Sequence, residues 1–172
     1  MTTSPLPMPK RPVVSEGSPM ERTYLEDYAV GDTFVSPART ITETDVITFA
    51  GLTGDWHPLH TDVTYAESTP FGGRIIHGLL TFAVGSALAL RLGPHVYLPK
   101  NFIAFYGIEQ VRFTRPVKIG DTIHSVNRVA RLITKDDVRG ILEYESEIRN
   151  QHSETVLTWT SRMLVGRRPC QR

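Results

Sequence analysis

Ile75-Ile76-His77-Gly78-Leu79-Leu80-Thr81-Phe82-Ala83-Val84-Gly85-Ser86-Ala87-Leu88-Ala89-Leu90-Arg91-Leu92 is the stretch that decides the fold. Its apolar residues (Ile75, Ile76, Leu79, Leu80, Phe82, Val84, Leu88, Leu90, Leu92) fall on nearly every side of a helix, and a helix without a polar face must be buried on most sides. Gly78, Ala83, Gly85 and Ala87 would let another backbone or a ligand approach closely. His77, Gly78, Thr81, Gly85, Ser86 and Arg91 interrupt it too often for a bilayer span. A core helix is expected over 75–92, and other elements must surround it.

The chain downstream supplies them. Segments 102–113, 122–134, 139–150 and 154–165 are rich in β-branched and aromatic residues and read as strands. Turn signals separate them at Lys118-Ile119-Gly120-Asp121, Lys135-Asp136-Asp137 and Asn150-Gln151-His152-Ser153. Upstream, a strand is expected over Thr33 to Ile41. Thr42 and Asp45 then have capping-box spacing before a short helix that Gly51 or Gly54 ends. Strand, short helix, long buried helix and an antiparallel meander make an α+β domain, a curved sheet wrapped around one central helix. Such a sheet leaves an edge strand that needs cover, so a homodimer or an oligomer of dimers is expected.

Composition sets the remaining bounds. The 172 residues suit one domain, expected over 23–166. Residues 1–22 hold five of the twelve prolines and read as a flexible arm, and residues 167–172 as a tail. Nineteen basic against eighteen acidic residues give +1, without the basic excess of a nucleic-acid surface. No membrane segment or apolar leader is visible, and the single Cys170 excludes an internal disulfide, so a cytoplasmic location is expected.

Chemistry concentrates just before the core helix, in Leu52-Thr53-Gly54-Asp55-Trp56-His57-Pro58-Leu59-His60-Thr61-Asp62. Gly54 and Pro58 argue against regular structure, so the segment reads as a constrained loop. Asp55 and His60 are residue types that move protons near neutral pH. Equally, a loop aspartate can cap backbone amides and a histidine can bond a carbonyl. Context favours function: Asp55, His57, His60 and His77 gather at the entrance of a buried helix. The Gly78 amide, in the first turn, could stabilise an oxyanion, or the glycine could simply allow close packing. His57, His60 and Asp62 could ligate zinc, but the spacing is weak, and no metal is expected. P-loop and Gly-x-Ser-x-Gly patterns are absent.

Phe49-Ala50-Gly51-Leu52-Thr53-Gly54-Asp55, Pro58-Leu59-His60, Ala66, Ile75-Ile76-His77-Gly78-Leu79-Leu80, Ser86, Val111-Arg112-Phe113-Thr114-Arg115-Pro116-Val117 and Gly120-Asp121-Thr122 together resemble the MaoC-like (R)-specific enoyl-CoA hydratases. The resemblance covers roughly residues 24–165. It implies the hotdog fold and, in fatty-acid metabolism, reversible hydration of a 2-enoyl thioester to the (R)-3-hydroxyacyl thioester. The substrate would be carried on CoA or acyl carrier protein, with no cofactor. It also implies that Asp55 and His60 are the catalytic pair, that the Gly78 amide polarises the thioester carbonyl, and that Ser86 supports the Asp55 loop. His57 and His77 join Ser86 as supporting residues, and His57 stands where the family usually has asparagine, an imidazole in place of an amide. Lys100, Arg112, Arg115 and Lys118 are candidates to meet CoA phosphates. Thioester hydrolysis on the same fold, or a non-catalytic acyl-binding subunit, are the alternatives.

Overall fold

The computed structural model describes residues 21–170, and most of the expected N-terminal arm and the last two residues of the tail lie outside them. The chain is tied down by Arg22. Its amide donates to the His95 carbonyl at 2.8 Å, and its guanidinium stands 5.0 and 4.8 Å from the Tyr28 and Phe34 ring centres.

Strands β1 (Thr33–Val35) and β2 (Arg39–Thr40) precede helix α1 (Glu43–Thr53). One continuous strand was expected across this region. Instead Pro37, which has no amide to give to a sheet, separates two short pieces that both pair with a later strand. The Thr42–Asp45 capping box forms as expected, and Gly54 closes α1 with φ 79°.

Helix α4 (Gly78–Leu88) is the central helix, continued by a 3-10 turn over Ala89–Leu92. It begins later than its apolar pattern suggests. Ile75 is in an extended bridge to Lys118, and the Ile76 amide donates to the Val117 carbonyl. Leu80, Thr81, Gly85 and Leu88 face the core, while Leu79 is 63% exposed, so this chain alone covers only one side of the helix.

Four long strands carry the sheet: β3 (Phe102–Phe113), β4 (Thr122–Thr134), β5 (Arg139–Arg149) and β6 (Thr155–Gly166). All pairs are antiparallel, in the order β1-β4-β5-β6-β3. The expected simple meander holds for β4-β5-β6 only. β3 crosses over to the far edge and pairs with β6, because residues 114–121 are engaged elsewhere: Thr114 and Arg115 amides on the Val156 carbonyl, Val117 and Lys118 on the segment before α4. This is the α+β hotdog arrangement, a sheet wrapped around a helix.

The core lies between α4 and the inner sheet face, in two clusters. One gathers Phe34, Tyr97, Val129, Tyr144 and Met163; the other gathers Ile41, Val46, Leu80, Ile123, Ile148 and Trp159. Buried Asn127, Ser146 and Ser161 occupy the same face of the sheet. Among the described residues, no helix is long and apolar enough to cross a membrane.

Candidate active site

Gly54 ends α1 in a left-handed conformation and throws the chain into Asp55 and Trp56. The segment is not irregular throughout, as Gly54 and Pro58 had suggested. Pro58 opens a one-turn helix, α2 (Pro58–Thr61), followed by α3 (Val63–Glu67). Proline is compatible with the first helical position, where its missing N–H has no intrahelical acceptor to lose. Asp55 therefore sits on a loop, and His60 sits on a short helix.

Asp55, His60 and His77 come together. One nitrogen of each imidazole and a carboxylate oxygen lie within 4.8 Å of one another. The His60 and His77 rings are 3.9 Å apart between centres and tilted by 32°. His60 Nδ1 lies 2.8 Å from the Ile75 carbonyl; a carbonyl can only accept, so Nδ1 carries the proton and the neutral ring's lone pair is on Nε2. Burial, first of several causes, holds the His60 pKa below the ordinary imidazole value, and proximity to His77 pushes the same way. His60 is thus kept neutral at pH 7, the state a general base requires.

His77 is buried and caps the entrance of α4. Its Nε2 donates to the Asp55 main-chain carbonyl at 2.9 Å, and the Phe49 ring packs 5.0 Å away. Asp55 itself stays exposed, and its Oδ1 accepts from the His57 amide at 3.3 Å. The arrangement suits proton transfer: groups this close can share one water at ordinary hydrogen-bond distances.

A cavity of about 370 Å³ opens beside them, lined among others by His60, Ile75, Gly78, Phe113, Arg115 and Val117. Gly78 is the first residue of α4, so its N–H has no intrahelical acceptor and sits at the positive end of the helix dipole. A Cβ there would stand 2.9 Å from the Phe113 ring, so the glycine allows the close packing expected of it.

The other expected residues fall differently. Ser86 Oγ donates to the Ala83 carbonyl in its own helix at 3.3 Å, and no hydrogen bond joins it to the Asp55 loop among the described residues. The contact seen here from α4 to that loop is made by His77. His57 caps α2 through Nδ1, which accepts the Leu59 amide at 3.1 Å. Of the candidate phosphate contacts, Arg115 lines the cavity beside His60, whereas Arg112 and Lys100 line two separate depressions. Arg74 went unremarked in the sequence. It chelates Glu43 at 2.8 and 2.6 Å and reaches the His60 carbonyl at 3.5 Å, tying α2 to α1. Only this pairing across 31 residues reveals it; an arginine after two glycines carries no signal of its own.

The chain is similar to known proteins in both sequence and fold. The family model described as a MaoC like domain matches residues 27–151. Protein MaoC of Klebsiella aerogenes is 39% identical over 102 residues, 59% of this chain; the match spans only 29% of that longer protein. The (R)-specific enoyl-CoA hydratase of Rhodospirillum rubrum is 38% identical over 112 residues, covering 64% of this chain and 72% of that one. The crystal structure of a MaoC-like dehydratase from Rhodospirillum rubrum superposes with a TM-score of 0.73 at 31% identity, over 86% of this chain and 99% of the other.

Proposed function

The chain belongs to the MaoC-like dehydratase family, and on that premise we propose that it reversibly hydrates a 2-enoyl thioester to the (R)-3-hydroxyacyl thioester, carried on CoA or acyl carrier protein. One observation carries the reading: His60, locked by Ile75 with its Nε2 lone pair free, lines the same cavity as the Gly78 amide, with the Asp55 carboxylate beside it.

The enoyl chain lies in the cavity with its thioester oxygen on the Gly78 N–H. A water is held between Asp55 and His60. His60 Nε2 takes one proton from that water as the hydroxyl oxygen bonds to the β-carbon. The double-bond electrons move toward the thioester, and the Gly78 amide stabilises the resulting oxyanion. The proton on His60 passes through the Asp55 carboxylate to the α-carbon, so water has added both its parts and the pair is restored. Dehydration is the same path reversed. No cofactor enters the reaction.

Two copies pair through β3. It is the long edge strand, opposite the three-residue β1, and Ile103, Phe105, Tyr106, Ile108 and Phe113 on it are exposed together with Leu79 of α4. An apolar sheet edge beside an apolar helix face fits a second identical chain.

The test is turnover of enoyl-CoAs of graded length by the native chain, Asp55→Asn and His60→Ala. The native chain is expected to hydrate at least one, and each variant to lose about 1,000-fold or more in kcat while keeping its circular dichroism, in line with the loss of a paired acid–base group. Unaltered enoyl thioesters with the native chain, or native rates with both variants, overturn the assignment. Release of free thiol from saturated acyl-CoA would point to hydrolysis instead.

A further inference from the structure

Resting on the hydratase reading, we propose that His57 is a positioning residue: its imidazole caps the helix that carries His60, and protonation of that cap sets the acid limit of turnover.

The helix concerned is four residues long, Pro58–Thr61. So short a helix has few internal hydrogen bonds, and its caps supply much of what holds it. Pro58 has no N–H, which makes the Leu59 amide the first donor of the turn. That amide goes to His57 Nδ1 at 3.1 Å. The His57 carbonyl also receives the His60 amide at 2.9 Å and the Thr61 hydroxyl at 3.2 Å, while the His57 amide is held by Asp55 Oδ1 at 3.3 Å. One residue therefore links the loop aspartate to the helix histidine. Displacing it moves both catalytic groups.

Residues that usually cap helices offer an oxygen that does not titrate near neutral pH. Histidine does this only conditionally, because Nδ1 can accept a hydrogen bond only while it carries no proton. Acid converts the acceptor into a second donor facing the Leu59 N–H, and the cap is lost. The ring is exposed, so a proton can reach it.

The charged and titratable groups around it are His60 on the same helix, with ring centres 6.2 Å apart, Tyr65 of α3 at 5.9 Å, and Asp55 on the loop. Arg74 reaches the His60 carbonyl from the opposite side and is already paired with Glu43. A charge on His57 also opposes protonation of His60. That effect alone would keep the base active to lower pH. Loss of the cap acts in the opposite direction, so the two are separated by sign.

Asparagine provides the discriminating variant. Its Oδ1 stands the same number of bonds from Cα as Nδ1 of histidine, and it caps without titrating. The experiment measures kcat/KM from pH 5 to 9 for the native chain, His57→Asn and His57→Ala, and follows the Leu59 amide and the His57 ring nitrogens by NMR. His57→Asn is expected to stay within about two-fold of native at pH 8 and to carry its acid limb to lower pH. His57→Ala is expected to be about five-fold slower at pH 8, the size of one lost cap, and to lose that deficit toward pH 5, where the native cap is protonated as well. In the native chain the Leu59 amide should shift on acidification together with the His57 ring, and in His57→Asn it should not. An acid limb that is unmoved or raised in His57→Asn, or a native rate for His57→Ala at pH 8, overturns the proposal. If the native chain hydrates no enoyl thioester, the functional reading fails and the NMR arm still decides the cap: a Leu59 amide that ignores the His57 titration refutes it.

Discussion

His77 Nε2 donates to the main-chain carbonyl of Asp55 at 2.9 Å, so the N-cap of the central helix holds the Asp55 loop across 22 residues of chain. The buried imidazole is pressed between Phe49 and His60 and has little freedom to move. Its contact with Asp55 is to the backbone, which makes it an anchor for the loop. His77→Ala should lower kcat by about 100-fold, the scale of a misplacement near 1 Å, with a much smaller change in KM. Steady-state kinetics check this, with circular dichroism to verify folding. A kcat within two-fold of native would show that the loop holds itself.

Stability should fall on mild acidification. Burial holds the pKa of His60 and of His124 below the ordinary imidazole value of 6.5. The unfolded chain therefore binds protons that the fold resists, and stability rises with pH across this range. The contribution is complete above pH 6.5 and is lost as pH falls below it. Carboxylates such as Glu143, held below 4.5 chiefly by the Arg131 hydrogen bonds, act only at lower pH. Urea midpoints should be flat from pH 8 to 7 and decline from 6.5 to 5. His124→Asn should flatten part of that decline, and an unchanged slope would remove His124 from the account.

Much of this arrangement was visible in the residues, for physical reasons that differ by element. The central helix announced itself through apolar side chains on every face, although Ile75 and Ile76 belong to an extended lead-in whose carbonyl and amide are used elsewhere. Thr42 and Asp45 marked the start of α1 because a capping box is local chemistry. The placement of β3 beside β6 was not local. It depends on the engagement of residues 114–121 by β6 and the lead-in to α4, which no periodicity encodes. At the candidate site, Asp55, His60 and His77 could be picked out by residue type and order, and the fold brings them together. Arg74 could not, since its meaning lies in Glu43, and the Ser86 hydroxyl bonds within its own helix.

Gly85 is where the helix comes closest to the sheet. A Cβ there would lie 2.0 Å from Ile148 Cδ1 and 2.6 Å from Cγ1, and Ile148 is fully buried. Alanine gains up to about 1 kcal/mol over glycine in a helix interior, while overpacking a core costs roughly 1–3 kcal/mol. Gly85→Ala should therefore destabilise by about 1–2 kcal/mol in chemical denaturation. Ile148→Val removes the nearest methyl, so the double variant should be less destabilised than the two single variants added together. Strict additivity would mean that the strain is relieved elsewhere.

The exposed edge supplies the last expectation. β3 presents unpaired backbone groups along one side and half-exposed Phe105, Tyr106 and Ile108, and proteins rarely leave such an edge open. Covering it with a second copy would also shelter Leu79 of α4. A lysine on an edge strand opposes strand pairing, because a charge must be desolvated and its counterpart in the twofold mate repels it. Ile108→Lys should therefore convert a dimer to a monomer in sedimentation equilibrium, without loss of the strand signal in circular dichroism. Activity should fall with dimer content as the chain is diluted. A native chain that sediments as a monomer at every concentration, or an Ile108→Lys variant with native mass, would show that β3 is not where the copies meet.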